Sequence, residues 1–399
     1  MINITDNNKS TCCGCTACAC VCPKHCITMQ EDKEGFKYPS VDKVNCINCG
    51  LCEKVCPVIN NPKPKTIPKE AYITRNNDSD IVKTSTSGGT VSALCDQIIF
   101  EDGIIFGGAF DDNFNVKHTS AETKDELTKF RSSKYVQSDL ENTFIKIKKE
   151  LDSSRLVMFT GTPCQTAGLH NYLRKPYENL IIVDFVCRAV PSPLVWEMHR
   201  KELSKKYKSK LVYANFREKT YGYHSANLTM RFANNKKSVE NTKTDNMLKS
   251  FFSGICSRPS CYSCPFRSAG RVSDLTVFDC WNVTRYVPTL PDDDKGYTAV
   301  MIQSAKGKKI FESISDKITK YDADINLLLQ TDGKMALQNP KMHPKRKEYF
   351  EMLESGAALS KAVKTYIPIK FSRKLAGKTR TILYKTNLLN KLKNLKSKG

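Results

Sequence analysis

Residues 12–23 read CCGCTACACVCP and residues 46–57 read CINCGLCEKVCP, so one spacing of cysteines occurs twice near the start of the chain. The shared pattern is C-x2-C-x2-C-x3-C-P. Three thiolates at this spacing bind one 4Fe-4S cube, and the fourth, which is followed by proline, ligates the other cube. The doubled pattern therefore predicts two 4Fe-4S clusters that exchange their fourth ligands.

We assign the eight cysteines of the pattern to two crossed sets. One set is Cys12, Cys15, Cys18 and Cys56, and the other is Cys46, Cys49, Cys52 and Cys22. A zinc site would need only paired C-x2-C motifs, and a disulfide scaffold would need an export signal and an oxidising compartment. Three further cysteines lie outside the pattern, and we expect them to be small buried residues: Cys13, Cys20 and Cys26. The region resembles a bacterial two-cluster ferredoxin.

The rest of the chain is long enough for a larger body. The sequence has 399 residues, 40% of them hydrophobic, and it contains eighteen cysteines. Its first ten residues are polar, and apolar runs such as residues 180–183 are far too short to cross a bilayer. We therefore expect a cytoplasmic protein whose thiols are kept reduced for metal in an oxygen-poor cell.

The formal charge of +22 is concentrated at the end of the chain. Residues 361–399 contain twelve lysines and arginines and no acidic residue, interleaved with leucine and isoleucine. This pattern is typical of a basic amphipathic helix that docks on an anionic membrane surface or an acidic partner, and the alternative is a solvated tail. Nucleic acid is not expected as a partner, because no nucleic-acid fold motif accompanies the charge.

Five segments follow from composition and pattern. We predict a ferredoxin head over residues 1–60, a proline-rich linker over 61–70, two parts of a larger body over 71–155 and 156–345, and a basic tail over 346–399. Hydrophobic periodicity also predicts secondary structure within the body. Helices are expected over 91–99, 123–126 onward, 140–151, 194–207 and 245–252, and strands over 104–110, 114–119, 211–217, 227–233 and 275–279.

The most readable part of the body is a β-α-β unit. Residues 155–159 and 180–186 have the pattern of buried strands, and Thr162, Pro163 and Gln165 have the pattern of a helix start. A right-handed crossover makes the two strands parallel, so the loops that follow them open on one edge of the sheet. This edge would carry residues 161–165 and Cys187.

A second cysteine group has the spacing C-x4-C-x2-C. It consists of Cys256, Cys261 and Cys264, a spacing used by iron-sulfur sites and by zinc knuckles. The candidates for a fourth ligand are Cys187, Cys164 and Cys280, and we favour Cys187 because it ends a buried strand. The group predicts a third iron-sulfur cluster, with zinc or free buried thiols as the alternatives.

Several blocks of the body together resemble the coenzyme F-420 hydrogenase/dehydrogenase beta-subunit family. The resemblance runs from about residue 71 to residue 313. The blocks are Thr86-Ser87-Gly88-Gly89, Gly161-Thr162-Pro163-Cys164-Gln165, Val190-Pro191-Ser192-Pro193, Cys261-Tyr262-Ser263-Cys264-Pro265-Phe266-Arg267 and Ser273-Asp274-Leu275-Thr276 through Asp279 and Trp281. The chain departs from the family at Arg188-Ala189 and at Cys280-Trp281-Asn282, which leaves the hydride partner open.

The resemblance implies a mixed α/β flavin-binding body behind the ferredoxin-like head. FAD would exchange a hydride with a deazaflavin or similar coenzyme and pass single electrons to the clusters and on to a redox partner protein. Ser87, Gly88 and Gly89 would contact the flavin pyrophosphate, and Thr162, Cys164 and Gln165 would lie near the ring or the inner cluster. We expect both segments to face one cleft, because each precedes a helix whose N-terminal N–H groups suit a phosphate or a flavin carbonyl.

The sequence thus predicts an iron-sulfur flavoprotein oxidoreductase. Two alternatives stay open: a reductase of an organic substrate with the same architecture, and a flavin-free electron-relay subunit. The motifs of Ser-His-Asp hydrolases and P-loop phosphoryl transfer are absent from the sequence.

Overall fold

The structure is a computed structural model that describes residues 1–62, 67–225, 227–369 and 388. The chain forms two compact units. Unit 1 comprises Met1–Leu194 and Ser257–Lys341, and unit 2 comprises Val195–Cys256 and the described residues from Met342 onward. The expected second part of the body, residues 156–345, is therefore interrupted by a segment of another unit, and the head belongs to the same unit as the large sheet.

The head is small and rich in cysteine. Two short helices flank an antiparallel strand pair in the chain. The order is α1 (Ala17–Val21), β1 (Ile27–Glu31), β2 (Lys37–Val41) and α2 (Leu51–Lys54). Its small core combines Ile2 and Ile27 with cysteines of both runs. So few apolar residues indicate that metal ligation supplies much of the stability of this region.

Unit 1 is built around a mixed sheet of eight strands in the order β13-β3-β12-β11-β7-β6-β4-β5. Four neighbouring strands, β11, β7, β6 and β4, are parallel, and antiparallel strands flank them on both sides. The bounds are β3 (Glu70–Asn76), β4 (Ile104–Phe110), β5 (Val116–Ala121), β6 (Val157–Gly161), β7 (Leu180–Phe185), β11 (Leu275–Cys280), β12 (Tyr297–Ile302) and β13 (Ile318–Asp322).

Helices cover both faces of this sheet. Ile104 and Phe106 point to one face, where α5 (Thr143–Asp152) and α6 (Pro163–Leu173) pack, and Ile105 points to the other, where α4 (Thr90–Phe100) and α10 (Ala305–Glu312) pack. This alternation is the period-two pattern of a sheet buried on both sides. The remaining helices of unit 1 are α3 (Ser79–Thr84), α9 (Val283–Tyr286) and α11 (Ile325–Gln330).

Unit 2 combines a three-stranded antiparallel sheet with four helices. Trp196 packs on Phe216 with ring centroids 4.8 Å apart, and buried His199 contacts Asp245 at 2.9 Å. Its strands are β8 (Leu211–Glu218), β9 (Asn227–Phe232) and β10 (Lys237–Asn241), and its helices are α7 (Pro193–Tyr207), α8 (Asn246–Phe252), α12 (Arg346–Glu354) and α13 (Leu359–Tyr366). Residues 346–366 thus contribute core side chains of unit 2, including Tyr349 and Leu353, and are not part of a solvated tail.

The predicted β-α-β unit is present, since β6 and β7 are parallel and α6 connects them. Several boundaries differ by two or three residues, since β6 begins at Val157 and α5 at Thr143. The strand β5 begins at Val116 because Asp111 accepts hydrogen bonds from the backbone N–H groups of Asn113 and Asn115 and closes a turn there. The helix expected from residue 123 is a 3-10 helix, Asp125–Phe130. In the described ranges no helix combines the length and the apolar character needed to cross a membrane. The predicted tail helix lies outside the described residues.

Candidate functional site

In the first cysteine run of the head, Cys15, Cys18 and Cys22 are buried and Cys12 is partly buried, as is Cys56 nearby. Burial, followed by the charges of Cys12 and Cys56, raises the pKa of Cys18. Burial likewise raises the pKa of Cys56, and Cys12 adds to the shift. Neighbouring buried thiols that resist ionisation fit a metal cluster, because iron supplies the positive charge that the thiolates need.

The second cysteine run lines a pocket together with Cys22. The cysteines that line the pocket are Cys22, Cys26, Cys46, Cys49 and Cys52. Cys26, which we expected to be a buried bystander, lies with its Sγ 3.3 Å from the Sγ of Cys22. Cys22 near the second run and Cys56 near the first are the neighbours that crossed ligation requires.

The start of α6 carries a capping box, as the sequence predicts. The Gln165 Oε1 accepts a hydrogen bond from the Thr162 backbone N–H at 2.9 Å, and Pro163 occupies the first turn. Thr162 and Gln165 are both buried. The polar atoms of Thr162 and Gln165 are therefore used to cap the helix. Cys164, which lies between them, is the remaining side chain of this segment that could bind a metal.

Four thiols of the body interact with one another: Cys164, Cys187, Cys261 and Cys264. Burial, followed by the thiol of Cys261, raises the pKa of Cys187, and Cys164 and Cys264 contribute. Burial also raises the pKa of Cys261 to about 12, again with contributions from Cys164 and Cys264. Cys164 lies in the first turn of α6, and Cys187 lies in the loop after β7. Cys261 lies in the 3-10 helix Pro259–Ser263, and Cys264 is the C-cap of that helix. Side chains from three separate segments thus meet at one edge of the sheet.

Hydrogen bonds fix the loops that carry these thiols. The guanidinium of Arg267 donates to the backbone carbonyls of Cys187 and Arg188, and the backbone N–H of Val190 donates to the Sγ of Cys261 at 3.5 Å. Among the residues that the structure describes, no three His, Cys, Asp or Glu side chains are close enough to hold a single metal ion.

The expected ligand set and the observed group differ in one member. Cys256 belongs to unit 2, where it is fully buried and adds to the raised pKa of Tyr349, a shift caused mainly by burial. Cys164 belongs to the interacting group in unit 1. The third alternative, Cys280, packs in an apolar cluster with Val283 and Tyr297.

The glycines before α4 have a structural explanation. A Cβ at Gly88 would lie 2.5 Å from the Thr74 carbonyl oxygen and 2.7 Å from the Thr298 backbone nitrogen. Gly89 has a φ of +84°, a conformation that favours glycine, at the N-cap of α4. The Ser87 hydroxyl lies 2.9 Å from the Thr298 hydroxyl. Close packing of this loop on β3 and β12 therefore accounts for the two glycines without a ligand.

Polar groups nevertheless gather beside this loop. The Oγ of buried Ser85 and the Nε of Arg131 have no hydrogen-bond partner within the described part of the chain. Arg131 contacts the Thr84 hydroxyl at 3.4 Å, and Ser133 contacts the Thr86 hydroxyl at 3.2 Å. A cation and an unpaired hydroxyl near the start of an eleven-residue helix fit an anionic group such as a phosphate.

The two predicted flavin segments share an edge of the sheet but not a face. Because β3 runs in the same direction as β6, the loops near Gly88 and Gly161 both lie at carboxyl ends of strands. The helices α4 and α6, however, pack on opposite faces. Their strands are four ladder steps apart, or roughly 19 Å at ~4.8 Å per step. The expectation of one cleft between two helix starts is therefore not met in that form.

Comparison with known protein families gives separate matches for the head and for the body of the chain. Residues 154–324 match the family described as the C terminus of the coenzyme F420 hydrogenase/dehydrogenase beta subunit, and residues 11–60 match the 4Fe-4S dicluster domain. Two segments of the chain therefore match two different families. It is an iron-sulfur protein related to the beta subunits of F420 hydrogenases and dehydrogenases, and its head is a 4Fe-4S dicluster domain.

Individual relatives match mainly the head. The chain is 42% identical over 57 residues to NADH-quinone oxidoreductase subunit I 2 of Geobacter metallireducens, covering 13% of this chain and 44% of that protein. It is 39% identical over 64 residues to a ferredoxin, Ferredoxin 7Fe, of Hydrogenibacillus schlegelii, covering 16% and 76%. A chain of the F420-reducing [NiFe] hydrogenase complex from Methanosarcina barkeri is 16% identical with a TM-score of 0.42, covering 75% and 92%.

Sequence reasoning missed three polar residues beside these sites. Arg131 lies near the loop before α4, Lys134 donates to the carbonyls of residues 129, 131 and 132, and Arg258 contacts Cys12. Burial lowers the pKa of Lys134 to about 7. Arg258 stands three residues before Cys261, and this position in a cysteine block was the available signal. Basic residues are too common in this chain for the other two to stand out.

Proposed function

We propose that the protein is an iron-sulfur flavoprotein oxidoreductase that moves electrons between FAD in the body and the two clusters of the head. The observation that carries this proposal is the group formed by Cys164, Cys187, Cys261 and Cys264 beside the head. Interaction with the Cys13 thiol, followed by burial, raises the pKa of Cys164. Cys164 of the body thus packs in the same cluster as Cys13 and Cys15 of the first cysteine run.

The four body thiols would bind a third iron-sulfur cluster. Cys164, Cys187, Cys261 and Cys264 would be its ligands, and Cys256 of the predicted set would not. The loop around Arg267 and Val190 would hold the ligands in place. This cluster would receive electrons one at a time and pass them to the cluster that Cys12, Cys15, Cys18 and Cys56 would hold.

The flavin would lie along the carboxyl edge of the sheet. Ser85, Ser87 and the start of α4 would hold its pyrophosphate, with Arg131 supplying positive charge, and the FAD would convert a hydride from a carrier such as a deazaflavin coenzyme into single electrons. The N-cap Thr162 and Gln165 would position Cys164 instead of touching the flavin. The outer cluster would exchange electrons with a partner subunit or redox protein.

Metal and flavin analysis of protein purified without oxygen tests the proposal. We expect about twelve iron atoms and one FAD per chain. Cys261→Ser should lose about four iron atoms, whereas Cys280→Ser, at a buried thiol outside the group, should lose none. About eight iron atoms in the wild-type protein, or an equal iron loss in both variants, would contradict the third cluster.

A flavin-free electron relay is the second candidate, because packing alone explains Gly88 and Gly89. For the same reason, replacing Gly88 cannot test the flavin site, since any side chain there would collide with β3 and β12. Arg131→Gln is the sharper variant, and Arg155→Gln, at an arginine paired with Glu122 and Glu150, is its control. Lower FAD content in the first variant alone supports the flavoprotein, and a wild-type protein with twelve iron atoms but no flavin supports the relay.

A further inference from the structure

Arg258 is the largest charged side chain that is fully buried in unit 1. Its Nε donates to the Cys12 carbonyl at 2.8 Å, its Nη1 to the Gln137 Oε1 at 3.0 Å, and its Nη2 to the Lys37 carbonyl at 2.9 Å. The same Nη2 lies 3.6 Å from the Sγ of Cys12. A single guanidinium thus connects the body to a cysteine of the predicted inner cluster.

The surroundings of this cation leave its charge without a carboxylate. Within the described residues its hydrogen-bond partners are two backbone carbonyls, one amide oxygen and one sulfur, and its carbon Cζ lies 4.2 Å from the ring centroid of Tyr38. Burying an unpaired cation costs several kcal/mol, so a buried arginine normally has an anionic partner. The Cys12 thiolate and its cluster are the anion that this site offers.

The arginine also lies between two groups of thiols. Its charge acts on Cys12 and Cys13 of the head and on Cys261 of the body. Gly14 allows this approach, because a Cβ there would lie 2.9 Å from the Nη1 of Arg258. The absence of a side chain at this position keeps the cation close to the cysteine loop.

We propose that Arg258 is a positioning residue that raises the reduction potential of the cluster bound through Cys12. Reduction adds one electron to the cluster, and a buried cation beside a ligand sulfur favours the more negative state. That this cluster exchanges electrons with the body rests on the proposed function.

Potentiometric titration followed by electron paramagnetic resonance tests the role of Arg258. In Arg258→Gln we expect the equilibrium constant for reduction of one head cluster to fall by at least tenfold. This corresponds to a reduction potential lower by about 59 mV for one electron. The second head cluster should keep its wild-type potential. Lys37→Gln is the matched control, because it removes a solvent-exposed cation of the neighbouring strand whose charge is screened by water.

Three outcomes decide the proposal. A head cluster that keeps its potential in an iron-replete Arg258→Gln protein overturns it, and so does an equal shift of both clusters. If Arg258→Gln loses iron, Arg258→Lys decides, because it keeps the positive charge: a fall of less than tenfold in the reduction equilibrium supports the proposal, and a fall of tenfold or more despite the retained charge overturns it. Flavin content is the separate readout, since a wild-type protein without FAD contradicts the proposed function and leaves this titration interpretable.

Discussion

The two cysteine runs have the same spacing but occupy different environments. Cys15 and Cys18 of the first run are buried, whereas Cys49 of the second run is exposed. Close to the second run, Val44 is 93% exposed and Ile47 is 58% exposed. Identical ligand patterns therefore produce an inner half of the head, around residues 12–22, and an outer half, around residues 46–56.

The inner half is more buried than the outer half because it packs against the body of the protein. Gly168 of α6 lies so close to Cys15 that a Cβ on the glycine would be 2.9 Å from the cysteine Sγ. Cys20 donates from its Sγ to the carbonyl of Glu141 at 3.5 Å. The inner half is thus joined to the sheet and its helices, whereas the outer half is more exposed. Under the proposed function, electrons would pass between the body and the outer half through the inner half.

The largest expected effect on iron content and stability comes from a substitution that disrupts the packing of the inner half against α6. Gly168→Val should place a branched side chain against Cys15, because the helix leaves no space there. Overpacking of this kind costs roughly 1–3 kcal/mol, and here we also expect the loss of about four iron atoms. Iron content and the thermal unfolding midpoint of anaerobic protein are the measurements.

The control for that variant lies in the outer half. A Cβ at Gly50 would meet no atom within 4 Å, although the residue has a φ of +73°. Gly50→Ala should therefore cost about 1–2 kcal/mol through backbone strain without loss of inner-half iron. An equal iron loss in both variants would mean that the inner half is not held by α6.

A second expected effect is a difference in lability. Limited exposure to a chelator or to air should remove the outer cluster before the inner cluster, because Cys49 is exposed whereas Cys15 and Cys18 are buried. Paramagnetic resonance spectra of samples reduced after increasing exposure times would follow the two clusters. Simultaneous loss, or earlier loss of the inner cluster, would remove the distinction between the halves.

The smallest expected effect on the clusters accompanies a pH dependence of the body that supports the inner half. His118 contacts the Thr160 carbonyl and the Ser138 hydroxyl, and burial lowers its pKa from 6.5 to about 4. The unfolded state therefore binds more protons between about pH 4 and 6.5, and the free energy of unfolding should fall as the pH falls through this window. The slope from one residue is at most about 1.4 kcal/mol per pH unit.

Comparison of wild-type protein with His118→Gln in chemical unfolding at several pH values isolates that slope. The variant should unfold with a weaker dependence on pH between 4 and 6.5. The iron content at neutral pH should not change, since the two ring nitrogens of His118 contact Ser138 and Thr160 and not a cysteine. Equal slopes would show that His118 is not a buried neutral imidazole.

Local patterns made much of this molecule predictable. The ferredoxin spacing, the β-α-β unit and the capping box at Thr162 each depend on residues close together in sequence, and each is present. The eight-stranded sheet was only partly anticipated, because β3, β12 and β13 were not predicted. A short apolar run such as Tyr297–Ile302 does not by itself distinguish a strand from a buried helix. The crossed ligation stays a prediction, supported by the neighbours of Cys22 and Cys56.

Long-range arrangements were out of reach. Arg258 and Cys12 are 246 residues apart, so no spacing could reveal their contact. Cys256 has the right spacing from Cys261 but folds with unit 2, and the interacting group contains Cys164 instead. At Gly88 the local signal was misleading, since a glycine needed for packing has the same appearance in a sequence as a glycine needed for a phosphate.

The central claim is that the body holds a cluster next to the inner half of the head. Anomalous diffraction at the iron edge, from crystals grown without oxygen, tests it most directly. The account predicts three separate iron peaks, one of them enclosed by Cys164, Cys187, Cys261 and Cys264. Two peaks confined to the head, with these four sulfurs free of iron, would contradict it.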